Sequence, residues 1–138
     1  MRRFEFTVPG PPVSAQADRK KLQEWKAIVR ASARAKWNRR RRRRPVTFKV
    51  RLTVVYYHDQ DDVRIDEDNM LKPIQDALAR VVYADDNLVS DGSAHKRNRY
   101  GSFVVLDLSP VALIGFRSER EFLHIVVEKA PNPSRPVR

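Results

Sequence analysis

The chain has 138 residues, 41% of them apolar, which suits one globular domain with a modest core. It contains no cysteine, and this excludes a disulfide framework, a thiolate metal site and a thiol nucleophile. The net charge of +11, from 28 Lys and Arg against 17 Asp and Glu, favours a polyanionic partner, with nucleic acid first and an anionic membrane surface second.

The first half of the chain predicts two strands with a helix between them. Residues 3–8 (RFEFTV) alternate in hydrophobicity and predict a strand, and the proline-rich PGPPVS that follows predicts a rigid turn or loop. Residues 18–38 carry apolar side chains at helical spacing and predict a helix. Residues 46–57 (VTFKVRLTVVYY) predict the second strand.

A second helix and three further strands are predicted in the second half. Pro73 is tolerated only near the first turn of a helix, so the helix is expected to start near Asp68 or Asn69 and to run for roughly 16 residues, about 24 Å. Strands are predicted from 87 toward 97, at 102–108 as its hairpin partner, and at 122–128, with an irregular or briefly helical stretch at 109–121.

This order of elements, β, α, β, α, β, β, β, predicts an α+β fold, a mixed α/β sandwich in which two main helices lie on a four- to five-stranded mixed sheet. We expect a single domain over residues 1–130 and a flexible proline-rich tail over residues 131–138. No apolar run approaches the ~20 residues that cross a bilayer, and no apolar region of signal-peptide length opens the sequence. A cytoplasmic protein without a membrane partner is therefore expected.

Residues 66–86, DEDNMLKPIQDALARVVYADD, carry the pattern that most strongly indicates chemistry. At about 100° per residue, one side of a helix through this segment is apolar and suited to pack on a core. That side comprises Met70, Ile74, Ala77, Leu78, Val81 and Val82. The other side gathers Asp68, Asn69, Lys72 and Asp76 within roughly 100° of arc, so it presents two carboxylates, an amide and an amine together.

These acids have two interpretations. An Asp at a helix start caps free N–H groups and suits the helix dipole, and Asp68 with Lys72 has the i,i+4 spacing of an ion pair. However, Asp66, Asp68, Asp85 and Asp86 together exceed what one cap requires. If the chain after the helix folds back to bring Asp86 beside Asp68, three carboxylates would converge on a hard cation, and all-oxygen ligation selects Mg²⁺ or Mn²⁺ over Zn²⁺. Lys72 would then orient the nucleophilic water or stabilise transition-state charge.

Other site types find no support in the sequence. No register supplies the alternating acids and the central glycine of an EF-hand loop, and the three histidines lack metal-ligand spacing. A serine-centred elbow and a Walker loop are both absent.

Six consecutive arginines occupy residues 39–44, just before Pro45. One interpretation is a solvated connector, and the other is phosphate contact without sequence specificity; a flexible basic loop that orders on DNA would satisfy both. The predicted DNA-binding residues are Arg39, Arg40, Arg41, Arg42, Arg43, Arg44, Lys96 and Arg97.

Together these motifs resemble the RusA family of phage-associated Holliday-junction resolvases. The family pattern is an N-terminal strand that runs into a proline-rich turn, then D-x-D-N-x-x-K-x-x-x-D and a later D-D. The chain has FTVPGPP, then this acidic pattern from Asp66 to Asp76, then Asp85 and Asp86. The likeness covers residues 4–96.

The resemblance implies a homodimeric, Mg²⁺-dependent nuclease, with Mn²⁺ able to substitute, that makes paired nicks across a four-way DNA junction. Because paired nicks need two symmetric active sites, a C2 dimer would follow. The resemblance also implies roles for the acids and the lysine. The essential catalytic and metal-binding carboxylates would be Asp66, Asp68 and Asp86, the functional lysine would be Lys72, and supporting roles would fall to Asn69, Asp76 and Asp85.

Two segments extend the compact family pattern without touching the acids: the arginine run at 39–44 and a stretch at 109–120. Both would alter dimer geometry or DNA contacts, so the resemblance supports a metal-dependent nuclease more firmly than it supports junction specificity. The alternatives are a nuclease of the same mechanism that acts on flaps, forks or single strands, and a non-catalytic basic DNA-binding protein.

Overall fold

The computed structural model describes residues 1, 3–38, 44–101 and 108–131 of the chain. In chain order its elements are β1 (Phe4–Pro9), α1 (Arg19–Trp37), β2 (Val50–His58), α2 (Glu67–Leu78), β3 (Val89–Asn98), α3 (Pro110–Arg117) and β4 (Phe122–Lys129). A short 3₁₀ turn (Asp86–Leu88) leads into β3. The predicted α+β fold with a mixed sheet is thereby confirmed.

The described strands form one sheet in the order β1-β4-β2-β3. β2 and β3 run parallel, and the other neighbouring pairs are antiparallel. Parallel neighbours cannot be joined by a hairpin, so the chain crosses over between them, and α2 is the crossover helix. Gly92 permits the close approach of α2 to β3, because a Cβ on residue 92 would lie only 3.0 Å from Cδ2 of Leu71 on α2.

Alternation along the strands builds a core beneath α1 and α2. In β1, Phe4, Phe6 and Val8 are at most 2% exposed, while the residues between them are half-buried on the other face. Trp37, at the end of α1, packs edge-on against Phe4 with their ring centroids 5.0 Å apart. The apolar side predicted for the acidic segment is buried throughout, at Met70, Ile74, Ala77, Leu78, Val81 and Val82.

α3 packs on the opposite face of the sheet and adds a third helix to the two main helices predicted. Its Phe116 meets the rings of Tyr57 and Phe122 at centroid distances of 4.6 and 5.1 Å. Gly115 makes this approach possible, because a Cβ there would collide with the Phe122 ring. The stretch predicted as irregular or briefly helical is therefore an ordered helix of 8 residues.

Two predicted boundaries are wrong, at the start of one strand and at the end of one helix. β2 begins at Val50 rather than at residue 46, and α2 spans 12 residues and ends at Leu78. The excluded stretches pair with each other instead: Val46 N donates to Val82 O, and Ala84 N donates to Val46 O, both at 2.9 Å. These bonds hold the turn after α2 against the connection that leads into β2.

The remaining strand predictions correspond to β3 and β4. The predicted hairpin partner at 102–108 and the tail at 131–138 lie outside the described residues, apart from Leu108 and Pro131. Within the described ranges, no helix combines the length and the apolar character needed to cross a membrane.

Candidate active site

Asp66 occupies the N-cap position of α2 but its side chain does not cap the helix. Its backbone carbonyl accepts from Met70 N at 3.0 Å, whereas its carboxylate bonds to no N–H of the first turn. By contrast, the N-cap side chains of α1 and α3, Asp18 and Ser109, accept a backbone N–H of their own first turns at 3.0 and 3.1 Å. Capping therefore does not explain the exposed carboxylate of Asp66.

The ion pair that sequence spacing permits between Asp68 and Lys72 is not formed either. Lys72 Nζ instead donates to Oδ1 of Asp76 at 3.1 Å and to Oδ2 of Asp86 at 3.5 Å. Asp68 is exposed in the first turn of α2, and in the described part of the chain no hydrogen bond or ion pair engages its carboxylate or that of Asp66. Both carboxylates are therefore available to an external ligand.

The carboxylates around Lys72 favour the charged form of its side chain. The hydrogen bond to Asp76 is the main cause that raises the pKa of Lys72, and the charges of Asp76 and Asp86 raise it further. Lys26 of α1 pairs with the second oxygen of Asp76 at 3.6 Å, so this carboxylate is bound from two helices. Because the Lys72 side chain is 54% exposed, its ion pairs position the charge more than they stabilise the fold.

The chain returns to α2 through a turn built around Tyr83. After Leu78 the backbone reverses at Arg80, whose φ of 69° is in the left-handed region. Tyr83 is fully buried and donates its hydroxyl to Gln75 O of α2 at 2.6 Å. Gln75 Nε2 in turn donates to Asp86 O at 3.3 Å. These two bonds fix the 3₁₀ turn beside the middle of α2.

This return places Asp86 beside Lys72. Lys72 itself follows Asp68 by one helical turn, a spacing that sets the Cβ atoms of these two residues about 6 Å apart. Asp66, Asp68 and Asp86 offer carboxylate oxygens, the donors that Mg²⁺ prefers, and none of the three side chains is buried. Within the described ranges, no three His, Asp or Glu side chains are grouped so that they could hold a metal ion as they stand. The donor chemistry therefore suits Mg²⁺, but in this structure the three carboxylates do not surround a common point.

Asn69 joins the acidic helix to the proline-rich loop after β1 through its backbone. Pro73 has no N–H, so it leaves the carbonyl of Asn69 without its helical partner. Ala15 N donates to that carbonyl at 2.9 Å. The loop is therefore fastened to the first turn of α2, next to Asp68.

The supporting role predicted for Asp85 has a local explanation. Its side chain accepts from Asn87 N at 2.9 Å and so caps the 3₁₀ turn. The same hydrogen bond is the main cause that lowers the pKa of the Asp85 carboxyl. Asp85 thus shapes the turn that presents Asp86.

The residues predicted to contact DNA differ in their surroundings. Arg39, Arg40, Arg41, Arg42 and Arg43 lie outside the described residues, and Arg44 is exposed. Arg97 is also exposed, and its Nη1 donates to Lys96 O at 2.8 Å. Lys96 is directed elsewhere: its ammonium donates to two carbonyls of the connection between β2 and α2.

Sequence reasoning missed the residues that hold Asp86 in place. Gln75 could have been found, because it follows Lys72 by three residues and therefore lies near it on the helix surface. Tyr83 offered a weaker signal, since a tyrosine in an apolar stretch usually bonds its hydroxyl when buried. Lys49, which donates to Asn87 O at 3.1 Å, is 38 residues away in sequence and gave none.

Comparison with known proteins agrees with the motifs. The sequence model of the family described as Endodeoxyribonuclease RusA matches residues 10–105, that is 96 of the 138 residues. The match takes in α1, β2, α2 and β3, and with them every acid of the site and Lys72. No curated protein matches the chain. The chain belongs to the RusA endodeoxyribonuclease family.

Proposed function

We propose that the protein is a Mg²⁺-dependent, structure-selective endodeoxyribonuclease that resolves Holliday junctions by paired nicks during DNA recombination and repair. The observation that carries this proposal is the pair of exposed carboxylates, Asp66 and Asp68, at the start of α2, which no capping bond or ion pair among the described residues engages. Family membership supports the nuclease activity, and the net charge of +11 suits a DNA substrate.

In this proposal Asp66, Asp68 and Asp86 would hold the cation, which would supply an activated water and neutralise charge on the scissile phosphate. The chain's own contribution is the placement of charge around that phosphate. Lys72, like any lysine, is protonated at neutral pH, and its raised pKa extends that charge to higher pH, so its ammonium can donate to a phosphate oxygen as negative charge develops. Asp76 restrains the Lys72 side chain without burying it.

We propose that the active form is a homodimer. Each chain supplies one set of these acids, and two strands of a four-way junction must be cut at symmetric positions. A two-fold axis between two chains would match the symmetry of such a junction. The substrate that distinguishes this proposal from a flap or fork nuclease is therefore the intact four-way junction.

The test is nicking of a synthetic, end-labelled four-way junction in Mg²⁺, with EDTA as the metal-free arm. Asp68→Asn and Asp86→Asn are each expected to lower the nicking rate by about 100-fold or more, the usual contribution of one positioned catalytic group, while junction binding persists. Asp91→Asn is the matched control, because Asp91 is exposed on β3 and pairs only weakly, at 3.8 Å, with Arg51. Its nicking rate should stay at the wild-type level.

Unchanged nicking by both Asp68→Asn and Asp86→Asn would overturn the assignment of the acids. Full nicking in EDTA would overturn the metal dependence. A panel of flaps, forks and single strands at one salt concentration completes the test, because phosphate-driven affinity falls steeply with salt. Faster cleavage of those structures than of the four-way junction would overturn the junction assignment.

A further inference from the structure

Lys96 of β3 fastens the connection that delivers the chain to the acidic helix. Its Nζ donates to Val63 O at 3.2 Å and to Ile65 O at 3.0 Å, and it pairs with Oε1 of Glu67 at 3.4 Å. These three acceptors surround a short stretch of backbone, and Asp66 lies inside it. One ammonium therefore spans the residues on both sides of Asp66.

The position of Lys96 follows from the alternation of β3. Gly92, Ala94 and Lys96 share one face of the strand, and Gly92 and Ala94 pack against α2 and the core on that face. Lys96 is the next residue of this row toward the end of the strand where α2 begins. Its aliphatic stem thus runs along the sheet, and its ammonium reaches the backbone at the helix start.

The contacts that Lys96 makes are not those of a phosphate-binding side chain. Its side chain is 23% exposed, and three acceptors take up the three donors of its ammonium. A positive charge at a helix N-terminus also opposes the helix dipole, and here Glu67 in the first turn offsets that cost. Arg97, the adjacent residue on the other face, is by comparison exposed.

The exposed side chains of this stretch contribute little to holding its backbone. Asp61, Asp62 and Arg64 are exposed, and the Arg64 side chain is 94% exposed with a contact to Asp62 at 4.0 Å. Val63 and Ile65 are half-buried and pack at the margin of the core. The two carbonyls that Lys96 holds flank Arg64, so the ammonium fixes the backbone on both sides of an exposed side chain.

We propose that Lys96 is a positioning residue, which holds residues 63–67 in place and so presents the Asp66 carboxylate at the start of α2. It acts through the backbone and touches neither DNA nor the reacting atoms. The inference rests on the proposed nuclease function, and it replaces the DNA contact expected for Lys96 from sequence.

The first experiment probes the backbone without any nuclease assay. Trypsin cleaves after Arg64, at the peptide bond between the two carbonyls that Lys96 holds. In Lys96→Met, cleavage of the 64–65 bond, followed by mass spectrometry, is expected to accelerate by at least about tenfold, the change that losing one net hydrogen bond brings. Cleavage after Arg117 in α3 should keep its wild-type rate, which separates local opening from global unfolding.

Lys36→Met is the matched control for the loss of charge. Lys36 also donates its ammonium to a backbone carbonyl, Glu5 O at 3.0 Å, but at the far end of α1. This variant should leave cleavage at the 64–65 bond unchanged. An unchanged rate of that cleavage in Lys96→Met would overturn the proposal, whatever the variant does to nicking.

The second experiment measures nicking of the four-way junction in Mg²⁺ under saturating protein, together with junction affinity in EDTA. Lys96→Met is expected to lower the maximal nicking rate by about tenfold or more while its affinity stays close to that of Lys36→Met, because the group acts on the site rather than on binding. A nicking rate equal to that of Lys36→Met, or a loss confined to affinity, would overturn the proposal. Failure of the wild-type protein to nick would instead refute the proposed function, and the proteolysis comparison would still decide whether Lys96 holds the segment.

Discussion

Lys72 lies between two carboxylates that reach it from different parts of the chain. Asp76 follows it by one turn of α2, and Asp86 arrives from the 3₁₀ turn that precedes β3. The raised pKa means that the proton is bound more tightly in the folded chain than in the unfolded chain. This linkage is fully present below the ordinary pKa of lysine and is lost only as pH rises through the higher folded value. Lys72 therefore carries its charge throughout the neutral and mildly alkaline range.

Replacing Lys72 should impair the chemical step more than binding. Lys72→Met is expected to lower the maximal nicking rate by about 10²- to 10³-fold, the usual effect of removing one group that stabilises transition-state charge. Single-turnover nicking of the four-way junction between pH 7 and pH 9 measures it. Lys26→Met is the control, because Lys26 also pairs with Asp76, at 3.6 Å, but belongs to α1. Equal rates for the two variants would contradict a specific role for Lys72.

For single side chains, the sequence predicted which of them share a face of α2, but not how they pair. Helical spacing correctly grouped Asp68, Lys72 and Asp76. An acid four residues before a lysine is the favoured orientation for an ion pair, so spacing alone selected Asp68 as the partner. Lys72 pairs with Asp76 instead, and its ammonium also contacts Asp86, whose negative charge favours this position of the side chain. The position of Asp86 is set by tertiary structure, which residue spacing does not contain.

The proline inside α2 allows the helix to bond to the loop after β1. Pro73 lies in the second turn and removes one N–H, and the carbonyl that it frees, on Asn69, accepts from Ala15. Ala15 is the second residue of a turn closed by a hydrogen bond from Ala17 N to Ser14 O at 2.9 Å. The second position of such a turn accepts proline without strain.

This geometry allows a double-mutant cycle on one backbone hydrogen bond. Ala15→Pro keeps the turn but removes the donor, and it should lower the free energy of unfolding by about 1 kcal/mol because the Asn69 carbonyl loses its partner. Pro73→Ala supplies a helical N–H to the same carbonyl, so the effect of Ala15→Pro should shrink in that background. Urea unfolding of the four proteins gives the coupling energy, expected at about 1 kcal/mol. Additive effects would show that the two N–H groups do not share this acceptor.

The sequence also predicted which side chains of the α2 segment are buried better than it predicted the C-terminal end of the helix. Val81 and Val82 continue the helical apolar period and are buried, yet they lie in the turn after Leu78. Periodicity reports burial, and a tight turn that packs against the core keeps the same side chains inside. The left-handed conformation at Arg80 carried no signal, because arginine has no preference for positive φ.

Across the chain, the order of the elements from β1 to β3 and the mixed sheet were predictable, whereas the position of α3 was not. α3 depends on Gly115 meeting Phe122 across the second face of the sheet, a contact between residues whose sequence spacing implies nothing about packing. In the proposed nuclease, each chain carries one set of acids within a strongly basic protein. Two cuts in one junction then require either two chains or two successive encounters.

Mixed dimers distinguish these two routes. Wild-type and Asp86→Asn chains with different tags, co-expressed and purified through both tags, would carry one intact set of acids per dimer. On a supercoiled plasmid that extrudes a cruciform, wild-type dimers should yield linear DNA, because both strands are cut before the junction is lost. Mixed dimers should stop at the nicked circle, since relaxation of the plasmid reabsorbs the cruciform and removes the substrate. Linear product from mixed dimers at the wild-type rate, or full activity from a species that sediments as a single chain, would exclude the paired-site arrangement.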